Sequence, residues 1–135
     1  MQALKLSRAN DQLKIDALDI AVDSSPLVGT WINTDKATGG IVKLILSQEG
    51  NSFFVQAFGA CAPSPCDWGK VEGRIYSLGV GLQAGAAFEA LYDFGFMETF
   101  LAAYLNKRIL VVDSYNTFKD GSGRSKYFHR DHFHQ

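Results

Sequence analysis

Three groups of side chains in this 135-residue chain could do chemistry. Cys61 and Cys66 stand in Gly59-Ala-Cys-Ala-Pro-Ser-Pro-Cys-Asp-Trp-Gly69, a four-residue spacer. That spacing is short enough for a small disulfide loop stiffened by Pro63 and Pro65, and it also suits two reduced thiols in a tight turn. The reduced pair is the expectation for a chain without an export signal. With no second cysteine pair, a structural zinc site lacks its ligand set. His129, His132 and His134 lie in Phe128-His-Arg-Asp-His-Phe-His134. On a strand, His132 and His134 share one face and His129 takes the other, so the run reads as an exposed terminal cluster and no metal is expected. Glu89, Glu98 and Asp113 stand among aromatic residues. Facing solvent they are ordinary surface charges; facing an apolar interior, one of them would have a raised pKa and could move a proton with a tyrosine beside it. Asp120-Gly-Ser-Gly-Arg124 lacks the strand-to-helix setting and the Lys-Ser/Thr of a phosphate loop, and reads as a hairpin turn.

Charge excludes some partners. Thirteen basic residues against fourteen acidic ones leave a formal net charge of -1, which gives no electrostatic footprint for nucleic acid or an anionic membrane surface. A chain of this length with 47% hydrophobic residues builds one domain with its own core. The opening residues show no apolar run of roughly 7–15 residues, and no stretch approaches the ~18 apolar residues of a membrane helix, so the expectation is a cytoplasmic chain.

The elements that must position these groups are strands. Eight short segments rich in β-branched and aromatic residues follow residue 26: Leu27–Thr34, Gly40–Ser47, Ser52–Phe58, Lys70–Ser77, Ala86–Phe94, Phe96–Leu105, Ile109–Phe118 and Arg124–Phe133. Turn residues separate them, as in Thr38-Gly39-Gly40, Glu49-Gly50-Asn51 and Asn106-Lys107. No connection is long enough for a parallel-sheet crossover helix, although Leu78–Gly85 could hold one helical turn. Eight sequential antiparallel strands close most simply into an up-and-down barrel around a lumen. The predicted fold is therefore all-β: one barrel over residues 26–135, preceded by an extension, residues 1–25, that serves as a lid or packing arm. A short helix is predicted around Ala3–Leu13. In Asp67-Trp68-Gly69, the aspartate caps loop N–H groups and the tryptophan covers a barrel end or stands at a ligand entrance.

Gly29-Thr30-Trp31 at the start of the first strand resembles the opening of calycin barrels, the lipocalins, fatty-acid-binding proteins and avidins. The resemblance implies that Trp31 closes the base of the barrel, stacked on a basic residue of the last strand, for which Arg124 and Arg130 are the candidates. Gly-Thr-Trp-x-Asn is most similar to avidins, which implies a ligand-binding role for Asn33. A wider motif set resembles a group of small bacterial domains of unassigned function: Trp31-x-Asn33, Phe58-Gly59-x-Cys61 through Cys66-Asp67-Trp68-Gly69, and Phe118-x-Asp120-Gly121-Ser122-Gly123-Arg124-x-x-Tyr127.

The function expected from these readings is non-covalent binding of a small, mostly apolar molecule in the lumen, lined by Phe54, Phe88, Tyr92 and Tyr104 with Asn33 and Trp68 contributing. No cofactor is expected. One alternative is a barrel-type cyclase or isomerase in which a lumen Glu or Asp and a Tyr transfer a proton. Another is an assembly module whose barrel is filled by its own side chains and whose outer face forms a homo-oligomer.

Overall fold

Period-two alternation shapes the chain from Leu27 onward, and the computed structural model, which describes residues 22–135, shows why. In Ser52–Gly59 every second residue is buried, so Phe53, Val55 and Ala57 face inward while Phe54 and Gln56 face out. The strands are β1 (Gly29–Asn33), β2 (Ile41–Glu49), β3 (Ser52–Gly59), β4 (Cys66–Tyr76), β5 (Ala87–Asp93), β6 (Met97–Asn106), β7 (Ile109–Phe118) and β8 (Tyr127–His134). Each pairs antiparallel with its neighbour in sequence, and β8 pairs with β1 to close an eight-stranded up-and-down barrel. This architecture is compatible with a calycin-like fold. Among the described residues, no helix is long and apolar enough to cross a membrane.

One end of the barrel, the floor, holds the β2–β3, β4–β5 and β6–β7 connections. Trp31 is buried there, and its indole N–H donates to the Leu27 carbonyl at 2.8 Å. Leu27 lies in a turn in which its own N–H and that of Val28 both donate to the Ser24 carbonyl. The lead-in is tied to the β4–β5 connection by Asp23 N–H on Gln83 O and Gly85 N–H on Asp23 O. Above this layer Leu44, Leu46, Phe53, Val55, Phe88, Leu101, Leu110 and Phe133 fill the interior. Burying each of these large side chains contributes about 1.5–3 kcal/mol, and together they fill the middle of the barrel; beneath them a cleft of about 590 Å³ opens at the floor between Trp31, Leu105, Arg108 and Ile109.

The opposite end is open for a definable reason. Strand β1 stops at Asn33, whose side chain directs the turn that follows: Oδ1 accepts from the Asp35 N–H and Nδ2 donates to the Ile41 carbonyl, each at 2.8 Å. The seam between β1 and β8 therefore consists of Ile32 opposite His134 and Asn33 opposite Phe133, extended by Thr34 N–H on His132 O. Strand β8 runs on past this seam, and Tyr127–Asp131 have no β1 residue beside them. The wall is cut down on that side, so the mouth is a cup with one low edge.

Several expectations need correction. Leu78–Gly85 forms turns and bends without a helical turn, because Leu78, Val80 and Leu82 are exposed and Gly79, Gly81 and Gly85 interrupt the run. Strand β4 begins at Cys66 rather than Lys70, so Asp67-Trp68-Gly69 belongs to a strand. Cys61 and Cys66 are joined in a disulfide that closes the β3–β4 connection, in place of the reduced pair expected. The helix predicted at Ala3–Leu13 and all but residues 22–25 of the 1–25 extension predicted as a lid or packing arm lie outside the described residues.

Candidate functional site

The inward positions of β8 alternate as Tyr127, His129, Asp131 and Phe133, opposite Asn116, Ser114, Val112 and Leu110 of β7. Phe133 belongs to the core, and the three residues before it climb the inner wall towards the open mouth. With Trp68 of β4, Thr99 of β6 and the 35–41 loop, they line a cavity of about 330 Å³. That volume sits at the small end of the ~300–1,000 Å³ typical of small-molecule sites.

Its base is polar and internally tied. Thr99 is buried and its hydroxyl donates to Asn116 Oδ1 at 2.7 Å, while Asn116 Nδ2 reaches the Tyr127 carbonyl at 3.4 Å. His129 Nε2 stands 3.2 Å from Asp131 Oδ1; the histidine side chain is half exposed, whereas that of Asp131 is only 12% exposed. Among the described residues the Asp131 carboxylate accepts no hydrogen bond, and its ion-pair partner is the His129 imidazole.

The facing wall is aromatic. Trp68 meets Tyr92 edge-on at 5.5 Å between centroids and Phe94 at 5.3 Å, and Tyr92 and Phe94 stack on each other. The indole is pressed against Gly59, where a Cβ would come within 2.7 Å of Trp68 Nε1, so only glycine admits the ring in this position. Tyr92 holds the wall together. The pairing of β3 with β4 shifts between Gln56 and Phe58, a bulge that leaves backbone groups out of the ladder. The Tyr92 hydroxyl accepts from the Ala57 N–H at 2.9 Å and donates to the Gly69 carbonyl at 2.6 Å, with Val55 O at 3.1 Å. Burial pushes this phenol up to about 12, so at neutral pH it stays protonated and serves structure rather than proton transfer. On the outer side of the bulge, the Gln56 amide and the Gly69 N–H both donate to Asp67 and hold its carboxyl below the usual range.

The remaining predicted residues divide by strand face. Phe88 lies in the core against Phe53, and Asn33 is buried with its amide spent on the β1–β2 turn. Phe54 and Tyr104 do not line the lumen: Val55 and Ala103 occupy the inward positions, which places Phe54 outside beneath Lys70 Nζ and leaves Tyr104 42% exposed. Nor do the arginines stand under Trp31. Arg124 lies over the Phe118 ring at 4.0 Å and pairs with Asp120, and Arg130 grips Asp113 with two hydrogen bonds on the outer face. That grip holds the Asp113 carboxyl below its ordinary range. Glu89 accepts from Tyr76 and Glu98 lies 3.3 Å from Lys119, so both are tied to outward-facing neighbours as well. The carboxylate that does face the interior, Asp131, was missed by sequence reasoning. Its signal was the two-residue offset from the apolar Phe133.

Comparison of the chain with protein-family models, with curated proteins and with solved structures finds no match.

The disulfide loop forms the rim beside Trp68, and its contribution is measurable. Replacing Cys61 and Cys66 together with Ser is expected to lower the unfolding free energy by about 2 kcal/mol, since closing so short a loop removes little entropy from the unfolded chain. Urea titration followed by tryptophan emission checks this; an unchanged midpoint would show that the rim holds without the bridge.

Proposed function

We infer that this protein binds a small molecule non-covalently in the cup at the open mouth of its barrel, the use to which calycin-type barrels are put. The observation that carries this reading is the mouth of the barrel, where Thr99, Asn116, His129 and Asp131 converge on about 330 Å³ beside an immobilised indole, above a core filled by side chains. A rigid aromatic face and a few placed polar groups are what small-ligand sites are made of. The ligand suited to this cup is more polar than the mostly apolar one expected from the sequence, because Thr99, Ser114, Asn116, His129 and Asp131 line it. The disulfide favours an oxidising compartment over the cytosol.

The test is a fragment screen by amide-resolved NMR. Binders are expected to shift residues 35–41, Trp68 and 127–131 together, and those shifts should vanish in Trp68→Leu. Binders that perturb only the outer faces of the strands would overturn the reading.

One feature favours a second reading, self-association. Leu91, Phe100, Tyr115 and Phe128 form a row across β5 to β8 on the outer face, in register from strand to strand, with Leu91, Tyr115 and Phe128 exposed. A second copy placed on this row would bury it. Sedimentation should then show a dimer that Tyr115→Lys dissociates, and a monomer at all concentrations would remove this reading.

A further inference from the structure

The geometry points to the class of ligand: a small organic amine, bound as its cation with the ammonium on Asp131 and its apolar part against Trp68. This deepens the reading of the cup as a binding site and rests on it. The argument begins with an imbalance of charge. Asp131 and Asp35 both line the cavity, and the one basic side chain among its lining residues is His129. Asp35 is exposed on the rim, with one oxygen accepting from the Ala37 N–H, and Asp131 lies deeper; an anionic ligand would meet both carboxylates, whereas a cation would be drawn to both.

Asp131 supplies the specific contact. A carboxylate withdrawn this far from solvent is ordinarily paired or hydrogen-bonded several times, because the loss of hydration must be offset. Here the side chain is 12% exposed and has His129 Nε2 beside one oxygen at 3.2 Å, with no hydrogen bond from the described residues. Its opposite neighbour on β7, Val112, is apolar and contributes nothing to the charge. An ammonium has donors for the acceptor positions that the protein leaves open and carries the compensating charge.

Trp68 supplies the second contact. Tryptophan offers the largest aromatic surface of any side chain to the apolar part of a ligand. Gly59 on one side and the Tyr92–Phe94 stack on another fix its plane, so no ordering cost falls on binding. Thr99 and Asn116 are occupied with each other and form a polar base that neither repels nor neutralises a cation.

The experiment compares benzylamine, benzyl alcohol and benzoate, which share a ring and differ in charge, by NMR titration of the wild-type protein. Benzylamine is expected to bind at least about tenfold more tightly than either of the others, with shifts at Trp68 and 127–131. Asp131→Asn is expected to weaken benzylamine by about tenfold or more. A thermal melt of that variant checks that it is folded; if it is not, the ligand series on the wild type decides alone. Benzyl alcohol or benzoate binding in the cup as tightly as benzylamine would overturn the amine and leave the cup standing. The absence of shifts with all three would overturn both.

Discussion

Replacing Tyr92 with Phe will lower the unfolding free energy by about 2–4 kcal/mol, out of all proportion to the loss of one oxygen atom. The ring remains, and with it the edge contact to Trp68 and the stack on Phe94. What disappears is the partner of the Ala57 N–H and of the Gly69 carbonyl, two groups that the β3–β4 bulge has released from the ladder. Each buried backbone group left unpaired costs roughly 1–3 kcal/mol. Urea titration of the two proteins measures the difference, and a loss below about 0.5 kcal/mol would mean that water replaces the hydroxyl.

The same substitution has a signature in pH. Burial raises the Tyr92 phenol from 10.0 to about 12, so the folded state holds this proton more tightly than the unfolded chain does. The stability linked to it is fully present below pH 10, the unfolded value, and is lost as pH rises from there towards 12. Tyr76 also lies above its ordinary value, chiefly through its hydrogen bond to Glu89, and adds a slope of the same sign. Subtracting the Tyr92→Phe profile from the wild-type profile isolates the Tyr92 share. Parallel profiles above pH 10 would count against a buried, structure-bearing phenol.

Replacing Trp31 with Ala is expected to cost about 3–5 kcal/mol, much of the 5–15 kcal/mol that holds a domain of this size together. Trp31 is 2% exposed, packs in the floor layer and donates its indole N–H to Leu27. Truncation opens a cavity under the core and also orphans the Leu27 carbonyl. Trp31→Phe separates these terms, since it keeps most of the volume and loses only the donor; about 1–2 kcal/mol is expected. Thermal melts of the pair check both values. Because the mouth lies at the other end of the barrel, fragment binding in the cup should survive Trp31→Phe.

The barrel was legible in the sequence because its cause is local. Alternation of apolar and polar residues, broken every eight to twelve residues by Gly, Asn or Asp, dictates short strands joined by turns, and strands joined in order close on themselves. Gly29-Thr30-Trp31 marked the floor through its resemblance to the opening of calycin barrels, and Trp31 is buried there. Strand ends were harder. Cys66–Gly69 read as a corner, since nothing in Asp67-Trp68-Gly69 announces that a tyrosine hydroxyl from β5 will satisfy a bulge there.

The site was less legible, because facing is a property of register. Phe54 and Phe53, or Tyr104 and Ala103, are equally plausible linings until the pairing of neighbouring strands selects one set, and a shift of one residue exchanges them all. Composition and alternation point to one all-β domain of about eight short strands, closed most simply as a barrel. Only the tertiary structure decides that β1 stops at Asn33 and lets β8 run on without a β1 partner, that Cys61 and Cys66 bond, and that Asp131 lines the cup with Thr99, Asn116 and Trp68. The strand is encoded by neighbours in the chain, whereas the cup is made by residues from five elements that meet only when the sheet closes.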